Sequence, residues 1–203
     1  MIEQDLVEAY FECNGFLVRQ APISSKPLKN KKKLETLPVI SVLNPRVPHN
    51  KKPLNHRLFS ADIAKVHSAR VATLGWWNSN FSPAFMSSDV QLVKFFKQEL
   101  DEKRIHACFS MDPPWQDSGM SDSLKIIVVP ALPKGTDRLN KVYQQLENLK
   151  IEGVLTMRSI LENLLRQTQS LLNYEGHEVL QTLRLVKAYG LSKDPQLEIF
   201  EDD

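Results

Sequence analysis

The chain has 203 residues, 42% apolar and 25% charged, with a formal net charge of +2. That length supports one substantial hydrophobic core, so one domain with room for an appendage is expected, and the composition is ordinary for a globular protein. The longest apolar run, Ile126 to Leu132, is interrupted by Pro130 and falls far short of the roughly 20 residues a spanning helix needs, which excludes a transmembrane segment.

The N-terminus, Met1-Ile2-Glu3-Gln4-Asp5, is acidic and is followed by no signal-type apolar stretch. Cys13 and Cys108 are too few for a disulfide framework or a zinc site. Both features suit a reducing compartment, so a cytoplasmic location is expected. Charge is uneven. Residues 1–70 hold 12 Lys/Arg against 6 Asp/Glu, while the remainder holds 14 against 18. The excess lies mainly in Lys26, Lys29, Lys31, Lys32, Lys33, Lys51 and Lys52. Such a cluster is suited to nucleic-acid phosphates, and equally to keeping a solvated loop soluble.

In chain order, Ile2, Leu6, Ala9, Tyr10 and Cys13 follow helical spacing, and Asn14-Gly15 ends that helix. Phe16 to Arg19 reads as a strand, and residues 21–36 as a loop. Pro38 to Leu43 is a second strand, and residues 44–57 a second loop. Leu58 to His67 suggests a helical turn, and Ala69 to Trp76 a third strand closed by Gly75. Ser87 or Ser88 can cap a helix whose buried face is Val90, Leu92, Val93, Phe96 and Leu100. Ile105 to Phe109 reads as a strand and residues 111–123 as a loop.

Leu124 to Val129 is a β-branched apolar strand, buried on both faces. Thr136 is placed to cap a helix running to about Lys150, and Gly153 to Met157 adds a short strand. Two helical stripes follow. One is Ile160, Leu161, Leu164, Leu165, Leu171 and Leu172. The other is Val179, Leu180, Leu183, Val186 and Tyr189, ended by Gly190. Three successive strands predict antiparallel pairing, and the strand after the next helix can join in parallel. The expected fold is α/β, bordering on α+β, with a mixed central sheet flanked by helices. A core over residues 1–150 would carry a strand and helical extension over residues 151–203.

Two stretches carry a family resemblance. One is Asp5 to Val18, a helix leading into a strand. The other is Ala69-Arg70-Val71-Ala72-Thr73-Leu74-Gly75-Trp76, at the third-strand position. With the element order, they resemble the restriction-endonuclease-like superfamily, the PD-(D/E)xK nucleases, whose core is a helix, three strands, a helix and a strand. The likeness covers roughly residues 1–130. It implies an acid on the second strand and an E-x-K pattern on the third, holding one or two Mg²⁺ ions. Alternation along the strand puts that acid and lysine on one face. The resemblance also implies a helix glutamate near the metal, which Glu8 matches.

The sequence departs from this pattern at its centre. The second strand, Pro38-Val39-Ile40-Ser41-Val42-Leu43, contains no acid, and the positions matching E-x-K are Ala72-Thr73-Leu74. Mg²⁺ needs oxygen ligands, so a scaffold that has lost catalysis is expected. No cofactor is then expected.

Three functions follow as expectations. The first is a non-catalytic module binding nucleic acid through Lys29, Lys31, Lys32, Lys33, Lys51 and Lys52. The second is a divergent Mg²⁺-dependent nuclease with displaced acids, Glu8 as catalytic and metal residue and Asp62 as metal ligand, with Glu12 nearby. Mg²⁺ is implied only in that case. The third is a structural protein, its C-terminal helices forming a homodimer contact.

Asp62 reads equally as turn or cap chemistry, and Glu8 as a solvated charge. The histidines, His49, His56, His67, His106 and His177, have no metal spacing. Trp76, Trp77 and Phe81 form an aromatic patch better suited to packing than to stacking on bases. Pro133-Lys134-Gly135-Thr136 suggests an anion site, but without a phosphate-loop pattern it reads as a turn and cap.

Overall fold

A computed structural model describes residues 2–20, 37–48, 56–74, 81–109 and 123–192. Among them is one five-stranded sheet of order β1-β2-β3-β4-β5, comprising β1 Leu17–Gln20, β2 Val39–Leu43, β3 Ser68–Thr73, β4 Leu124–Val129 and β5 Gly153–Thr156. β1 to β3 pair antiparallel, and β3, β4 and β5 pair in parallel. The fold is α/β with a mixed sheet flanked by helices, as the element order predicts.

Strand alternation sorts the side chains into two cores. Ile40, Val42, Ala69, Val71, Ile126 and Val128 meet α1 (Ile2–Cys13), α7 (Met157–Gln167) and α8 (Glu178–Ala188) on one face. Val39, Ala72, Leu74, Ile127 and Val129 meet α4 (Asp89–Glu99), α5 (Glu102–Phe109) and α6 (Thr136–Asn148) on the other. Two short helices, α2 (Ser60–Ile63) and α3 (Pro83–Ser87), complete the described elements. The segment before α2 runs beside β5, where Leu58 N–H donates to Val154 O at 2.9 Å and Val154 N–H to His56 O at 2.7 Å. β5 thus lies inside the pairing network, and α7 and α8 pack on α1.

Several elements differ from expectation. Ile105 to Phe109 is helical, within α5. Ile105, Cys108 and Phe109 are its buried residues, spaced three and four apart. Asp101 caps the helix by accepting from Arg104 N–H at 2.9 Å. Five residues are too few to separate a strand from one and a half helical turns, and the cap lies outside that window. In α4, Val90 is 63% exposed and Phe95 takes its place in the buried face with Leu92 and Phe96. Ser88 caps α4 as expected. Leu171 and Leu172 fall beyond α7, and Leu171 is 94% exposed. Tyr189 also faces outward. No helix among the described residues is long and apolar enough to cross a membrane.

Candidate functional site

The positions matching the nuclease acids lie in the sheet interior. Ala72 and Leu74 are 0% exposed and belong to the core beneath α4, α5 and α6. Ser41 is buried too, and its register partner is Arg70. Arg70 is directed the same way, its guanidinium 5.8 Å from the centre of the Phe109 ring. Glu8 sits on α1, whose buried residues pack on the opposite face. The sheet therefore separates Glu8 from Ala72 and Leu74. Neither β2 nor β3 carries a carboxylate on either face.

The three candidate carboxylates are engaged separately. Glu8 Oε1 accepts from Gln4 Nε2 at 2.8 Å and from Gln20 Nε2, at the end of β1, at 3.0 Å. Glu12 lies 4.0 Å from His177, just before α8. Asp62 accepts from Phe59 N–H at 3.1 Å and lies 3.7 Å from Lys65 Nζ. That is helix-start chemistry, the local role its sequence context allows. Among the described residues, no three His, Cys, Asp or Glu side chains gather as a metal site. Lys29, Lys31, Lys32, Lys33, Lys51 and Lys52 lie outside the described residues, as do His49, Trp76 and Trp77. Phe81 packs against Phe85 and Phe95.

Two polar arrangements were not legible in the sequence. The first is a part-buried network between α1, α2 and α7, centred on the buried Asn163. Asn163 Oδ1 accepts from Asn14 Nδ2 at 3.1 Å and from Gln167 Nε2 at 2.8 Å. Its own Nδ2 donates to Ser60 Oγ at 2.9 Å. Burial pushes the Tyr10 hydroxyl up to about 12, against a hydrogen bond with Ser60 that lowers it, and nearby Asp62 adds to the rise. Tyr10 is therefore neutral at physiological pH. Burial likewise pushes both the Cys13 and Cys108 thiols up, and Glu12 adds to the effect at Cys13, which disfavours thiolate chemistry at either.

The second is the turn before α6. Asp89, the first residue of α4, accepts from Lys134 N–H and Gly135 N–H, each at 2.8 Å. Arg138 lies 3.7 Å away. The expected anion position is thus taken by a carboxylate of the chain itself. Gly135 permits the approach, since a Cβ there would stand 2.9 Å from Asp89 Oδ2. Thr136 is the first residue of α6, and Gly135, not Thr136, occupies the cap position.

The two backbone N–H groups, then the arginine, hold the Asp89 carboxyl below the usual range. A lowered carboxyl contributes stability above its unfolded value, and that stability is lost as pH falls through the folded value. Asp89→Asn should therefore lower the urea midpoint at pH 7. The difference from wild type should shrink toward zero as pH falls below the normal carboxylate range. A difference independent of pH would rule out the charged contacts as its source.

No family model, no curated protein and no solved structure matches this chain.

Proposed function

We propose that this chain is a nuclease-like domain without cleavage activity, which binds nucleic acid non-specifically through the basic segments around Lys29–Lys33 and Lys51–Lys52. The packed, apolar state of the sheet at Ala72 and Leu74 carries the reading. A hydrated divalent cation and a phosphate need oxygen ligands and open volume, whereas Ala72 and Leu74 are apolar and fully packed. Supporting it further, a helix, three antiparallel strands, helices and a parallel strand follow one another in the order of the resembled core. The uneven charge supplies the affinity: lysines release counterions when they neutralise phosphates.

The test is fluorescence anisotropy with labelled duplex DNA across a salt series, with Mg²⁺ present and the DNA length checked afterwards. Affinity should fall about a thousandfold between 50 and 200 mM salt if about six lysines contact phosphates. Replacing Lys29, Lys31, Lys32, Lys33, Lys51 and Lys52 with alanine should flatten that dependence. Binding indifferent to salt, or none at low salt, defeats the nucleic-acid reading. Mg²⁺-dependent cleavage abolished by Glu8→Ala defeats the non-catalytic reading.

A further inference from the structure

A second region carries chemistry unrelated to the nuclease positions. A cleft of about 280 Å³ lies where α5, the start of β4 and the end of α6 meet. Lys125, Lys150 and His106 line it with Glu102, over apolar surface from Phe109 and Leu149.

The placement of the cations is unusual. Lys125 is the register partner of Arg70 across the parallel β3–β4 pair. Register partners share a face at a strand spacing of about 4.8 Å, so Lys125 and Arg70 rise from the same side of the sheet. Lys125 is also partly buried. Among the described residues, neither Lys125 nor Lys150 has its ammonium group in an ion pair. Glu152 is close, but it uses a carboxylate oxygen to accept from the Lys125 backbone N–H at 2.8 Å.

Lys150 adds a second peculiarity. It has φ of 55°, a conformation that favours glycine. It occupies the left-handed position closing α6, where Lys150 N–H donates to Glu147 O and Ile151 N–H donates to Leu146 O, both at 2.9 Å. These bonds occupy carbonyls at the negative end of the helix. A lysine thus stands where glycine would be less strained, in a cleft it shares with Lys125 and Glu102. Strain of this kind concentrates at binding sites.

We propose that this cleft binds a phosphoryl dianion between Lys125 and Lys150, either free orthophosphate or a phosphate monoester whose apolar body rests on Phe109 and Leu149. The dianion accepts charge-assisted hydrogen bonds from both ammonium groups.

The test titrates the ¹⁵N-labelled full chain with sodium phosphate and, separately, with phenyl phosphate, at ionic strength held constant with NaCl. Both should shift the Lys125, Lys150 and Phe109 amides saturably. Lys125→Met should weaken binding about tenfold, the loss of one charge-assisted contact. Lys150→Gly should weaken binding while raising the unfolding midpoint, because glycine accepts this φ without strain. Lost affinity in a more stable protein cannot come from unfolding. Equal affinities for the two probes assign free phosphate, and tighter phenyl phosphate assigns a monoester. Shifts that do not saturate with either probe, or affinities unchanged by both substitutions, overturn the proposal.

Discussion

Ala72→Glu is expected to destabilise the folded chain by about 4 kcal/mol or more at pH 7 and to create no metal site. The position matches the acid of an E-x-K motif, so restoring the acid tests whether that part of the sheet is a degraded active site or a packed core. Ala72 is fully buried among Leu74, Phe96 and Ile127. A carboxyl there leaves water entirely, and Arg70, two residues away on the same face, has its guanidinium turned toward Phe109. Burial to that degree raises a carboxyl by roughly three pH units or more, and each unit corresponds to about 1.4 kcal/mol.

The sign follows from linkage. The introduced acid has a higher pKa folded than unfolded. Its charge penalty is absent below about pH 4, grows as pH rises toward the folded value, and is constant above it. Urea unfolding at pH 7 and at pH 4 measures the difference, and Ala72→Gln isolates the cost of added volume. Tight Mn²⁺ binding by a normally stable Ala72→Glu protein would mean that the sheet opens there, and the non-catalytic reading would be lost.

Asn163→Leu should cost about 2–4 kcal/mol, because it breaks three hydrogen bonds of one buried amide, each worth about 1 kcal/mol. Asn163 is buried, and three side chains depend on it: Asn14 and Gln167 donate to its oxygen, and Ser60 accepts from its nitrogen. Leucine keeps the approximate volume and offers nothing polar. Asn14 retains its bond to Tyr10 O, and the exposed Gln167 keeps Asn14 Oδ1 at 3.4 Å, so the loss falls mainly on the contact with Ser60. For a chain of this size, the thermal midpoint should fall by about 5–15 °C. The double variant Asn163→Leu with Ser60→Ala should cost less than the sum of its parts, since the two share a bond. Strict additivity would mean that the network is a set of independent contacts. Asn163 on α7 ties the end of α1, the helix that carries Glu8, to α2, which carries Asp62.

The sequence by itself determined the periodic elements. Helical spacing in Ile2 to Cys13, the β-branched run Leu124 to Val129 and the caps near Ser88 and Gly190 each report a local choice, and local choices are written in neighbouring residues. It also determined that β2 and β3 lack carboxylates on either face, which requires only reading their residues. Periodicity failed where the window was short, as at Ile105 to Phe109, because five residues fit both repeats.

Only the tertiary structure decided which residues meet. Asp89 reaches Gly135 across 46 positions, and Asn14 reaches Asn163 across 149. Neither pair leaves a local mark, because an aspartate at a helix start and an asparagine at a helix end are each satisfied by nearby backbone in most chains. The face on which Glu8 lies relative to Ala72 is likewise a property of how α1 packs across the sheet. Alternation fixes that two strand residues share a face, but it cannot say which helix will cover that face.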